Sequence, residues 1–301
     1  MNKSETKKAL LLIALGVLLL GTGPMFVKYV HANGVLVGFY RLVFAGAMLS
    51  LPAVFLKPRE EKILPAGNGL KWGILGGLVL ALNLGLWCSA LNYTTASAVT
   101  LLDNTAPVWV GLLSWMLFKE KQPGHFWLGL LVALGGAGLM IGWDVIYGAS
   151  VQTTGNLIGV ASGISYAVYV LITKEARRYM SSLRYTWLET VSGALGMLLV
   201  AVAAGLFKQP LPGKSLLMIF LMAFTSQVIG YLLINQAVEK LPAPVVSVAL
   251  VGQPVVTTLL GIVILNEIPS ALQLLGALIC LAGILVVQRS QVNGPAVIVT
   301  E

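Results

Sequence analysis

Charge is what this sequence has least of. Lys, Arg, Asp and Glu make up 10% of its 301 residues, against roughly a quarter in a soluble domain. With 57% hydrophobic residues, that scarcity excludes an ordinary soluble fold. Cysteine is almost missing. Cys88 and Cys280 both lie inside apolar runs, where they resemble small buried hydrophobes and give no disulfide framework and no metal site. The two histidines, His31 and His125, fall near helix ends and form no ligand cluster. A GxxxxGKS/T loop is absent, so nothing points to ATP hydrolysis. Gly135-Gly136-Ala137-Gly138 has no strand before it and fits close helix packing better than a nucleotide loop. There are no paired carboxylates and no His–carboxylate pair, so the chain does not read as an enzyme and no cofactor is implied. A net charge of +8 is a feature that nucleic-acid binders share. Here the basic residues sit almost entirely between apolar runs, which fits membrane orientation and implies no nucleic-acid partner.

What is present is long apolar runs. A spanning helix needs about 20 mostly apolar residues, and ten runs qualify: 9–28, 34–56, 70–91, 96–118, 125–143, 156–176, 184–207, 214–236, 243–265 and 270–288. Most connections are short and carry turn or charged residues, such as Lys57-Pro58-Arg59-Glu60-Glu61. The first run could pass for a signal peptide, but a repeat described next gives it a partner at 156–176. With the N-terminus in the cytoplasm, 15 of the 19 Lys and Arg fall on inside segments. Lys28, Lys208 and Lys214 fall outside, and Arg41 lies within a span. The positive-inside rule then sets both termini in the cytoplasm.

The stretch from Ala90 to Glu120, ALNYTTASAVTLLDNTAPVWVGLLSWMLFKE, recurs at Ala237 to Glu267 with an ungapped offset of 147 residues. Pro107 falls on Pro254 and Glu120 on Glu267; Gly16, Gly46, Gly129 and Gly136 fall on Gly163, Gly193, Gly276 and Gly283. This is a duplicated half. Five spans per half is odd, so the second half enters the membrane upside down, as in secondary transporters whose substrate site lies near the midplane. The half-repeat has a Pro-centred fourth helix, a Glu at its end, and a fifth helix opened by Trp127-Leu128-Gly129 or Leu274-Leu275-Gly276. It resembles the EamA-type drug/metabolite transporter superfamily over residues 9–288. The expected fold is an all-α membrane protein with ten transmembrane helices, arranged as two inverted five-helix repeats around a central cavity. Its parts would be a cytoplasmic segment 1–8, repeats 9–143 and 156–288, and a cytoplasmic tail 289–301. The resemblance implies alternating access, export of amino acids and other small metabolites in many members, and a bacterial inner (cytoplasmic) membrane.

Polar groups inside a span are costly and usually face the bundle interior. Asn83 and Trp87 share one face of the third run. Asp103 shares a stripe with Pro107 on the fourth, and Gln253 adjoins Pro254 on the ninth. Each proline frees a backbone carbonyl near the bilayer centre. Gln227, Tyr231 and Asn235 are spaced four apart on the eighth run; Tyr166 lies with Ser162, Ser165 and Tyr169 on the sixth. These make Asn83, Trp87, Asp103, Tyr166, Gln227, Tyr231, Asn235 and Gln253 the candidate substrate-binding set. Helix packing is the alternative for each. Pro24, in Gly21-Thr22-Gly23-Pro24, is expected to break the first helix toward its outer end. Asp103 and Arg41 each lie about ten Å deep, at 1.5 Å per residue, and both face apolar partners across the offset. They are expected to pair, with Glu189 as a corresponding group nearer the cytoplasm. Glu120 and Glu267 are expected to hold neighbouring helix N-termini.

The reading that follows is a secondary transporter that exports amino acids or related small metabolites. Its partners would be a small-molecule substrate, protons as an open coupling partner, and membrane lipid, in a monomer or homodimer. The alternative is a non-transporting membrane scaffold with a packed, dry interior.

Overall fold

A computed structural model describes residues 3–55, 69–118, 122–141, 151–176, 178–208, 211–238, 250 and 252–292. Glu120, the 57–61 connection, residues 243–249 of the ninth run, the side chain of Asn235 and the tail from 293 lie outside the described residues. No strand occurs among the described residues. Six helices there are long and apolar enough to cross a membrane, and three shorter apolar helices accompany them.

Helix α1 (Lys3–Val30) is followed by α2 (Gly34–Phe55) and α3 (Gly69–Ala90). The expected break at Pro24 is absent, because α1 runs through it. Pro24 deprives the Leu20 carbonyl of its donor, and hydroxyls bond to the carbonyls on either side of it. Thr257 Oγ1 donates to Gly21 O at 3.2 Å and Thr22 Oγ1 donates to Leu19 O at 2.6 Å. Such bonds satisfy carbonyls around a missing donor.

The fourth run is broken instead. It forms α4 (Ala96–Asp103) and α5 (Ala106–Phe118), separated at Asn104 and Thr105. Thr95 caps α4, its Oγ1 accepting from Ala98 N at 3.2 Å. Then come α6 (Gly124–Ile141), α7 (Val151–Ala176) and α8 (Ser182–Ala203). The eighth run is also not one α-helix. It comprises α9 (Gly213–Met222), a π-helical segment Ala223–Gly230, and α10 (Tyr231–Val238). Helix α11 (Gly252–Leu265) holds Pro254 in its first turn, where a missing N–H leaves no intrahelical bond unmade. Helix α12 (Ala271–Val292) closes the fold.

The helices pack reciprocally. Helix α3 lies on α7 and α8, while α1 lies on the π segment and α10; α4 meets α7, while α1 meets α11. Helix α2 meets α8, and α6 meets α12 in the most extensive contact. Lipid tails are as apolar as leucine, so such contacts depend on close packing between small residues. A Cβ at Gly136 would stand 2.7 Å from Cys280 Cα and from Gly276 O. One at Gly129 would stand 2.8 Å from Val287 N, and one at Gly283 2.6 Å from Ala133 Cα. Gly135 and Gly138 face open space, so of that glycine cluster only Gly136 is needed by the crossing. A Cβ at Gly163 would meet Leu102 O at 2.6 Å, and one at its repeat partner Gly16 would meet Gly230 O at 3.1 Å.

Candidate substrate cavity

Between these helices lies a cavity of about 340 Å³, within the range of roughly 300–1,000 Å³ that small-molecule sites occupy. Its wall includes the helix break. Pro107 has no N–H for a carbonyl one turn back, and side chains add to the backbone bonds just before it. Asn104 Nδ2 donates to Thr100 O at 2.8 Å and Thr105 Oγ1 to Leu102 O at 2.6 Å. Trp109 Nε1 then donates to Thr105 Oγ1 at 2.9 Å. The break leaves Asp103 as the last residue of α4, facing the cavity beside Asn104 and Pro107.

Asp103 is held on one side. Asn83 Nδ2 and Ser162 Oγ donate to it at 3.1 and 2.6 Å, and both bonds end on Oδ1. Asn83 Nδ2 also reaches Ser162 O at 3.0 Å, tying α3 to α7. The expected Arg41–Asp103 ion pair is not formed. Arg41 Nε and Nη2 donate instead to Gln227 Oε1 at 3.0 and 2.6 Å. The guanidinium lies 5.7 Å from the centroid of Trp87, within cation–π range. Two of the five guanidinium N–H donors thus end on one amide oxygen, which leaves the charge unneutralised.

The π segment explains why Gln227 does this. Residues four apart share a face in an α-helix. In a π-helix the bonds run from i to i+5, so that register does not hold across Gln227 and Tyr231. Tyr231 lines the cavity, but Gln227 is 4% exposed behind the wall, against Arg41. The expected shared stripe is thereby split.

Asn83, Trp87, Asp103, Tyr166, Tyr231 and Gln253 line this cavity, together with Arg41, Glu189 and Pro107. Pro254 is buried in a separate apolar crevice beside Leu101 and Leu274, and Pro24 is buried within α1. Glu189 Oε1 accepts from Tyr169 OH at 3.2 Å, and Tyr169 stacks on Tyr166 with centroids 5.5 Å apart. Tyr169, noted with the polar residues of the sixth run but not placed in the binding set, also lines the cavity, as do Thr173, Tyr185 and Thr186, which were not noted at all. Thr173 Oγ1 and Tyr185 OH are 2.7 Å apart. The signal for them was present: Tyr169 and Thr173 are four apart on one helix, as are Tyr185 and Glu189 on the next.

One end of the cavity is shut. Trp87 lines it there and belongs to a buried cluster with Met25, Val37, Cys88, Val99, Ile219 and Met222. Beyond this plug the helix ends are latched. Lys28 Nζ lies 3.3 Å from Glu267 Oε1 and donates to Thr94 O at 2.6 Å. Glu267 Oε2 accepts from Ala96 N at 2.9 Å, so this glutamate does hold a helix N-terminus. Thr94 Oγ1 donates to Asn156 Oδ1 at 2.8 Å, and Tyr29 OH to Ile264 O at 3.3 Å. At the other end the wall is Thr173 in the last turn of α7 and Tyr185 and Thr186 at the start of α8.

The chain is 21% identical over 272 residues to an uncharacterized transporter of Clostridium kluyveri, covering 87% of this chain and 86% of the relative. It is 26% identical over 277 residues to an uncharacterized transporter of Archaeoglobus fulgidus, covering 92% and 95%. A solved crystal structure with 19% identity superposes with a TM-score of 0.61 over 93% of this chain and 97% of that one, which is a likeness of fold. The EamA-like transporter family model matches twice, at residues 7–142 and 153–289. With apolar helices long enough to span a bilayer and the family matched across both halves, this integral membrane protein belongs to the EamA-like transporter family.

Proposed function

We propose that the protein is a secondary transporter that moves a small organic solute, an amino acid or related metabolite, out across the bacterial inner membrane by alternating access. The observation that carries this reading is the cavity itself. It holds charged and polar groups inside the helix bundle, draws its wall from both halves, and is bounded on one side by an apolar cluster and a polar latch. A packed scaffold would have no need of such a space, nor of an aspartate and an arginine there, at a cost of at least about 2.5 kcal/mol each if unpaired at the bilayer centre.

The reciprocal packing of α1 with α10 and α3 with α7, and the double family match, support two inverted repeats, near 9–143 and 156–288. The charge count supports cytoplasmic termini. On that orientation the latched end faces outward, and the described conformation is open toward the cytoplasm, ready to load an exported solute. The absence of a nucleotide motif is in keeping with transport driven by a gradient or by exchange.

Leu20 lines the cavity without belonging to its polar groups. In a Cys88→Ala, Cys280→Ala background, Leu20→Cys should react with a membrane-impermeant maleimide from the cytoplasmic side and, more slowly, from outside. Reaction from one side only, under all conditions, contradicts alternating access.

A further inference from the structure

Two opposite charges line one cavity and do not pair. Arg41 is 4% exposed, and its Nε and Nη2 both end on Gln227 Oε1 at 3.0 and 2.6 Å. Asp103 is half-buried, with both of its hydrogen bonds on Oδ1. Oδ2 is therefore the oxygen available to the space that Asp103 lines. In a low-dielectric interior a guanidinium and a carboxylate attract strongly, and Arg forms bidentate pairs with carboxylates readily. Something must hold Arg41 back, and the only side chain that its described hydrogen bonds reach is Gln227. The π-helical segment Ala223–Gly230 carries Gln227 behind the wall, where it meets Arg41. Such segments concentrate at functional sites.

We infer that Gln227 is a specificity-determining positioning residue: by clamping Arg41 it keeps Asp103 Oδ2 free to receive the ammonium group of the transported solute. The inference rests on the proposed transport reading and deepens it. The wall around Asp103 suits an organic ammonium. Trp87, Tyr166, Tyr169 and Tyr231 all line the same wall. Aromatic faces attract cations, and a carboxylate accepts N⁺–H donors in short, strong hydrogen bonds. An anion would meet the like charge of the Asp103 carboxylate, while the Nε and Nη2 donors of Arg41 are already committed to Gln227. Gln227 touches no solute. Its loss frees Arg41 to move onto Asp103, and the resulting ion pair closes the ammonium seat from within.

The test uses the purified full chain in detergent, with 2-phenylethylammonium and 3-phenylpropionate as matched probes and thermal stabilisation as the readout of binding. Wild type should be stabilised by the ammonium probe and not by the carboxylate. Asp103→Asn should lose that response. Gln227→Ala should weaken binding of the ammonium probe about tenfold or more, the scale of one charge-assisted hydrogen bond. Gln227→Glu keeps the acceptor for Arg41 and should bind as wild type does. The decisive variant is Gln227→Ala with Arg41→Met, in which no guanidinium remains to occupy Asp103. Binding should return. A purely structural role for Gln227 would leave this double variant as weak as Gln227→Ala, and that result overturns the inference. So does an ammonium probe that fails to bind wild type, or that binds Asp103→Asn equally well. If Gln227→Ala does not fold, Gln227→Glu and Asp103→Asn still decide: loss of binding in Gln227→Glu refutes the clamp. One-sided labelling of Leu20→Cys is what defeats the transport reading, so the two failures are distinguishable.

Discussion

Lys28→Met should loosen the latched end by an amount that its contacts allow one to work out. The substitution keeps the length and apolar stem of the side chain and removes its charge. It deletes the 3.3 Å contact with Glu267 and the 2.6 Å bond to Thr94 O. The ion pair is 23% and 14% exposed on its two sides, so solvent screens it and its share is about 0–1 kcal/mol. A charge-assisted hydrogen bond contributes about 1.5–3 kcal/mol when buried, less here. A combined loss of about 1–2 kcal/mol follows, or roughly 5–30-fold in the population of the state open at this end. Cys88 reports that state without any new cysteine. It is fully buried in the plug beneath the latch. In a Cys280→Ala background, an impermeant maleimide applied from outside should alkylate Cys88 roughly 5–30-fold faster in Lys28→Met than in the parent. Equal rates in the two proteins refute the latch, provided that His31→Cys, exposed at the same end, labels equally in both.

Two further predictions concern the scaffold. With native cysteines replaced, His31→Cys and Arg178→Cys, both exposed positions, should label from opposite sides of intact cells, His31→Cys from outside; labelling of both from one side would overturn the orientation. Gly136→Leu should lower the melting temperature in detergent, since its Cβ would meet the backbone of Cys280 and Gly276 O, an overpacking of about 1–3 kcal/mol or more. Gly135→Leu, in open space on the same helix, should not lower it.

Much of this arrangement was legible in the sequence. The length of the apolar runs gave helices, and the 147-residue offset aligned Gly129 and Gly136 with the glycines that meet them or their neighbours on α12. Depth along the spans brought Asp103 and Arg41 to one level, and both line one cavity. That they do not pair was not legible, because the competitor was Gln227, an amide 186 positions away from Arg41 in sequence. Nor was the π segment, which invalidates the four-residue spacing used to join Gln227 with Tyr231. Proline alone did not tell which helix would break: α1 runs through Pro24, and the interruption lies just before Pro107. Beside Pro24 one of the two hydroxyls, that of Thr257, comes from another helix, whereas just before Pro107 the hydroxyl of Thr105 and the amide of Asn104 turn back on their own segment. The difference lies in where short polar side chains find partners, which a window of sequence does not contain. Tyr185 and Thr186 were passed over because they begin α8 near the expected interface, where aromatic and hydroxyl residues are ordinary.

Counterflow through reconstituted protein tests the central claim most directly. Liposomes holding the purified chain are loaded with unlabelled solute, chosen as a compound that stabilises wild type in a thermal screen of amino acids and amines, and diluted into a trace of the same solute in radiolabelled form. A carrier that exposes one cavity to each side in turn should accumulate label transiently inside wild-type liposomes, and Asp103→Asn should abolish the overshoot while remaining folded and inserted. A solute that binds wild type yet gives no overshoot, or an overshoot unchanged in Asp103→Asn, contradicts the account.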